Sequence, residues 1–176
     1  MDMQTQSLDP QSKVAAGFTH EVQLVCKATG EVVARELVRN KVPLEGLTDF
    51  CNVLFKKGLV AEQLYVGLYS GDYTPTGDET AARLNELAGE VMGYAGAGRP
   101  QWIPGQAAAG GVDNAASLAV FDFSQEAQVR GVFVSTSPTK GGGEGKLYSV
   151  VKLPSVKKPS SEFELRVLSG FQFVSL

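Results

Sequence analysis

Four β-rich runs crowd the last third of this chain and most narrow what it can fold into. Residues 115–123, 128–135, 145–152 and 163–173 are each dense in β-branched and aromatic side chains and separated by turn-prone residues. Phe121 and Phe123 share one face of their run, as do Val132 and Val134, so this sheet needs a second layer to cover it. The spacing predicts an antiparallel meander, with 138–145 (PTKGGGEG) as a flexible hairpin tip.

The earlier two thirds supply candidates for the other layer. From His20, Val22, Leu24 and Cys26 alternate with Glu21, Gln23 and Lys27, the mark of a strand with one buried face, and 28–31 turns the chain into a second strand over 32–38. After Pro43, Leu44, Leu47, Phe50, Cys51, Leu54 and Phe55 recur at spacings of three and four, which predicts a helix with that stripe inward. Lys56 and Lys57 suit its negative end, and Gly58 is the residue expected to close it in a left-handed conformation. Residues 63–70 (QLYVGLYS) read as a third strand, with Gly67 marking close packing or a bulge. From 71 to 111 the chain is rich in Gly, Pro and small residues. Within it, 78–88 has a helical pattern that Asp78 would cap, 91–94 and 99–103 are short strands, and Trp102 is a core anchor. Residues 1–18 show neither period and read as a flexible N-terminal arm, leaving 19–176 as a single domain.

At 176 residues the chain is long enough for one unstapled core, and a hydrophobic fraction of 43% is ordinary for a folded domain. The fold class these observations imply is mainly β: an antiparallel β-sandwich, jelly-roll-like, with one or two short helices. A net charge of -3 disfavours a direct nucleic-acid partner. No apolar run reaches the ~20 residues that span a bilayer, and the first residues lack the basic-then-apolar order of a signal peptide, so neither membrane nor export is expected.

The residues that carry chemistry are few. His20 is the one histidine and is expected at a surface or sheet edge; Cys26 lies six residues along the same strand, about 20 Å away, too far for a nucleophile–base pair. Cys51 sits on the apolar stripe, so both cysteines read as buried thiols. Two cysteines and one histidine do not close a tetrahedral zinc site, and the acidic residues Asp72, Asp78 and Glu79 lack the alternating oxygen ligands of a calcium loop, so they read as solvated. The run 140–146 (KGGGEGK) fails as a phosphate-binding loop: Lys140 stands where the first glycine belongs, Leu147 follows Lys146, and a strand rather than a helix comes next. These readings predict no catalytic residue, no cofactor and no metal.

In order along the chain, Val38-Arg39-Asn40, the helix opening 44–50 (LEGLTDF), 64–69 (LYVGLY), Val91-Met92-Gly93-Tyr94, Arg99-Pro100-Gln101-Trp102, Phe121-Asp122-Phe123, Gly131-Val132-Phe133-Val134, Thr139-Lys140-Gly141-Gly142 and Gly145-Lys146-Leu147-Tyr148 resemble a family of small virion structural proteins of tailed bacteriophages. The resemblance runs from about residue 20 onward. It departs from the family at Pro159-Ser160-Ser161-Glu162, where a Gly-Asp turn is usual. It implies a non-enzymatic virion component, most simply a capsid decoration or cement protein on the major capsid protein lattice, assembled in the bacterial host cytoplasm and homo-oligomeric. A tail, neck or baseplate component is the alternative, as is a receptor- or carbohydrate-binding module using Tyr69, Tyr73 and Tyr94. The segments expected to meet partners are the arm, the 71–111 loop and the hairpin tip, with Leu8, Pro10, Val14, Tyr69, Tyr73, Arg99 and Lys140 as contact candidates.

Overall fold

The alternation predicts a first strand from residue 20; the structure begins it earlier. The computed structural model describes residues 14–40 and 42–175, and β1 (Val14–Cys26) pairs antiparallel along its whole length with the last strand, β9 (Phe163–Ser175), from Val14↔Ser175 to Cys26↔Phe163. Residues 14–18 therefore belong to a sheet and not to an arm. Ala15, Ala16 and Gly17 carry little strand signal of their own; the ladder to β9 supplies it, and Phe18 is buried against Phe171 and Trp102. Leu8 and Pro10 lie outside the described residues, and Val14 opens β1.

β2 (Val32–Arg39) returns along the other edge of β1 after a turn in which Gly30 takes φ 72. A register shift between Leu24 and Val25 breaks the expected alternation: Val22 and Val25 are buried, while Cys26 is only half-buried. β5 (Gly111–Asp113) and β6 (Ala119–Phe121) pair with successive stretches of β9, so this sheet runs β2-β1-β9-β5 with β6 also on β9. The second sheet runs β4-β3-β7-β8, built from β3 (Leu64–Tyr69), β4 (Gln101–Trp102), β7 (Val129–Ser135) and β8 (Leu147–Lys157). Every pairing is antiparallel.

The expected meander is thus divided between the sheets: β7 and β8 form a hairpin in one, whereas β6 and β9 pair in the other. The division follows from burial. Val132 and Val134 of β7 face a core shared with Phe18, Val22, Leu165 and Val167, while Phe133 on the opposite face packs with Tyr69, Leu84 and Ala88, so β7 needs cover on both sides. Trp102 is the anchor its sequence context suggests, buried with Nε1 donating to Ser169 O at 2.8 Å.

The outer cluster depends on two glycines. Across the β3–β7 ladder, Gly67 pairs with Phe133 and Tyr69 with Gly131, so each ring lies over the glycine opposite. A Cβ at Gly131 would stand 1.9 Å from Tyr69 Cζ and one at Gly67 2.1 Å from Phe133 Cζ. Gly131→Ala is expected to lower stability by about 1–3 kcal/mol through overpacking, read as a lower urea midpoint with an unchanged slope.

Two helices complete the fold among the described residues. α1 (Leu44–Phe55) ends as predicted near Gly58, but Lys57 takes the left-handed φ of 56, and Gly58 is instead needed for close approach, since its Cβ would lie 2.9 Å from the Asn52 carbonyl carbon. Thr80, not Asp78, occupies the N-cap position of α2 (Ala81–Ala88), and its side chain makes no capping hydrogen bond. Glu45 of α1 serves α2: its Oε2 accepts from Ala81 N at 2.9 Å and from Leu147 N at 2.7 Å, which places negative charge at the positive end of α2. Glu79 is also not solvated. It is 1% exposed and accepts from Tyr73 Oη at 2.6 Å and Gly77 N at 2.9 Å; burial alone would raise its pKa, but these hydrogen bonds hold it below the usual carboxylate value.

Candidate interaction surface

The spacing of apolar residues in α1 fits one face of a helix, and the structure turns most of that face outward. The side of α1 against the sheets carries Gly46, which is buried, together with half-buried Asp49, Phe50 and Val53. Gly46 sets the approach: a Cβ there would stand 2.7 Å from Leu147 O, so only glycine lets α1 lie this close to β8. Asp49 accepts from Tyr148 Oη, and Phe50 packs edge-on to Tyr148 and tilted against Phe171, with centroids 4.7 and 5.2 Å away. Burial, with the Asp49 carboxylate second, pushes the Tyr148 hydroxyl up from its ordinary pKa, so it stays a donor.

At about 100° per residue, Leu54, Leu47, Cys51, Leu44 and Phe55 fall within an arc of roughly 100° on the opposite side. Leu44 is 59% exposed, Leu47 39%, Leu54 59% and Phe55 78%; Leu59 at 95% and Val60 at 73% follow the closing turn. Cys51, expected to be buried, is exposed in the middle of this arc, and both cysteines are free thiols. The two ends of α1 differ in charge. Glu45 lies in the first turn with exposed Asp78 close by on the same groove, and exposed Lys56 and Lys57 stand at the far end.

Of the residues put forward from sequence as partner contacts, Tyr69 and Arg99 are buried and Tyr73 and Lys140 are half-buried. Tyr69 is fully buried beneath α2, its hydroxyl donating to Tyr73 O at 3.3 Å. Tyr73 is half-buried and spends its hydroxyl on Glu79, and Tyr94 is in the core against Phe121 and Phe123. Arg99 is buried in a bidentate pair with Glu90, Nε to Oε1 and Nη2 to Oε2 both at 2.7 Å, and its Nη1 donates to Ser137 O at 2.9 Å. Lys140 folds back onto its own chain: Nζ donates to Tyr94 O at 2.7 Å and Gly96 O at 2.6 Å and lies 3.7 Å from the centre of the Tyr94 ring. Burial lowers its pKa. The hairpin tip between β7 and β8 is held by these bonds and by Gly141 N donating to Glu90 Oε2 at 2.7 Å, so it is not the free loop its glycines suggest. A lysine beside glycines reads as solvated; the carbonyls that capture Lys140, at Tyr94 and Gly96, lie 46 and 44 residues away in sequence.

His20 is not at an edge. β1 lies between β2 and β9, and the imidazole is 0% exposed, with Nδ1 2.8 Å from Ser169 Oγ and Nε2 2.7 Å from Ser149 Oγ. A serine on each ring nitrogen has the form of a nucleophile–base contact, but Ser149 and Ser169 are also 0% exposed, so no substrate reaches them. Desolvation pulls the His20 pKa from 6.5 to about 3, leaving the ring neutral. Among the described residues there is no group of three or more His, Cys, Asp or Glu placed to hold a metal ion, and no helix is long and apolar enough to cross a membrane.

The surface that stands out is therefore the outward arc of α1, which the periodicity located correctly and oriented wrongly. No protein-family model matches this chain, and a search of curated proteins finds no relative.

Proposed function

We propose that this chain is a non-enzymatic structural protein of a tailed-bacteriophage virion, a decoration or cement protein that attaches to the major capsid protein lattice as a jelly-roll-like β-sandwich. The observation that most supports a role in association is the apolar arc of α1 on an otherwise well-tied body. Four large apolar side chains of the arc, each more than a third exposed, with exposed Leu59 and Val60 just past the closing turn, are more than the scattered surface hydrophobics of a solitary protein. Elsewhere, loops are pinned by the buried Arg99–Glu90 pair and by hydrogen bonds, so the surface is offered by a body with little entropy left to lose on docking. The aromatic residues a sugar platform would use, Tyr69 and Tyr94, are in the core, which leaves a glycan-binding reading without that support.

The test is the copy number of this chain in purified particles, measured by quantitative mass spectrometry against the major capsid protein. A ratio near one, or a simple fraction set by capsid symmetry, is the expected result. A handful of copies per particle would move the protein to the neck, tail or baseplate, and absence from particles would overturn the proposal.

A further inference from the structure

We infer that the outward arc of α1 packs against the same arc of a second copy of this chain, with the two helices antiparallel about a two-fold axis near Cys51. The inference takes from the proposed function only that this arc is an association face; it does not depend on where the protein resides.

Area is the first argument. Leu44, Leu47, Leu54 and Phe55 expose on the order of 500 Å² of largely apolar surface, and Leu59 and Val60 just past the turn add to it, against the ~800 Å² that each partner contributes to a standard stable interface. A two-fold contact uses one patch twice, so a second copy brings a matching apolar surface without any further feature of the fold.

Pairing along the helix is the second. With the axis at Cys51, Leu47 of one copy meets Phe55 of the other, Thr48 meets Leu54, and Cys51 meets its own counterpart. The large side chains thus fall on either side of a small central residue, as ridges and grooves require.

Charge is the third. Antiparallel packing directs Lys56 and Lys57 of each copy toward the Glu45 and Asp78 end of the other, and opposes the two helix dipoles. Parallel packing would instead bring lysine against lysine. At the acidic end Asp78 is exposed, whereas Glu45 already accepts from Ala81 N and Leu147 N and lies 4.0 Å from Lys146 Nζ, so Asp78 is the acid most open to a second copy. Residues 1–13 offer as large apolar side chains only Met1, Met3 and Leu8, too few to cover the arc.

The full chain at micromolar concentration is expected to sediment as a dimer. Replacing Leu54 and Phe55 together by Glu should weaken dimerisation by on the order of 100-fold or more. Both side chains are exposed in the single chain, so the variant should keep the wild-type circular dichroism spectrum and a cooperative melt, while losing the dependence of Tm on protein concentration that a dimer shows. A short bis-maleimide should join two copies through Cys51: Cys26→Ser still cross-links and Cys51→Ser does not. A wild-type protein that stays monomeric to ~100 μM overturns the inference, as does a dimer that survives the double substitution or fails to cross-link at Cys51. A monomeric chain that is abundant in particles, but lost from them in the Leu54→Glu/Phe55→Glu variant, would also overturn it. That result would assign the arc to another virion protein and leave the proposed function standing.

Discussion

Arg99→Met is expected to lower folding stability by about 3–5 kcal/mol, because it leaves Glu90 as a buried carboxylate without its counter-ion. The Arg99 and Glu90 side chains are 4% and 2% exposed, so water cannot take the place of the guanidinium. Glu90 would keep one N–H, from Gly141, and the hairpin tip would lose the Arg99 bonds to Ser137 O and Gly142 O. The pair itself need not be a large net stabiliser, since removing two charges from water opposes their attraction. Glu90→Leu combined with Arg99→Met is therefore expected to be markedly more stable than Arg99→Met alone. Urea titrations at neutral pH measure both; a single substitution costing less than about 1 kcal/mol would mean that the site admits water.

Acid is expected to destabilise the protein through His20. The folded pKa of about 3 lies below the unfolded value of 6.5, so the unfolded state takes up the proton first as pH falls. The contribution of neutral, buried His20 is present above pH 6.5 and is lost progressively down to about pH 3, a total of roughly 4–5 kcal/mol. Its near polar partners, Ser149 and Ser169, do not ionise in this range, so the slope belongs to the ring. Urea midpoints between pH 7 and pH 4 should fall more steeply for the wild type than for His20→Gln, which keeps two hydrogen-bonding ends without the titration. Equal slopes for the two proteins would show that carboxylates alone set the acid limit.

What could be read from the sequence was local, and what could not depended on partners far along the chain. The helices, the β7–β8 hairpin, Trp102 as an anchor and the tight packing at Gly67 follow from periodicity and residue type. The strand character of 14–18 is invisible in Ala-Ala-Gly, because residues 171–175 impose it. The burial of His20 required knowing that Ser149 and Ser169, more than a hundred residues away, would meet both its nitrogens. Arg99, Lys140 and Glu79 resemble solvated loop charges until the loops close around them. For α1 the failure was one of orientation: the period locates an apolar stripe but does not say whether this chain or another molecule covers it, and Gly46 with Asp49 decided which side faced the sheets.

Among the described residues, β9 is the only strand paired with β5 and β6 and one of the two strands paired with β1. A nascent chain threading out of the ribosome therefore holds β3, β4, β7 and β8, the whole of the second sheet, before the strand that unites the first has been made. Until then Phe18, Val22 and Phe121 lack Leu165, Val167 and Phe171 of β9 beside them in the core, and β1 must wait with one edge bare across some 140 residues of synthesis. The first sheet can close only once β9, which joins the beginning of the described chain to its end, has been made.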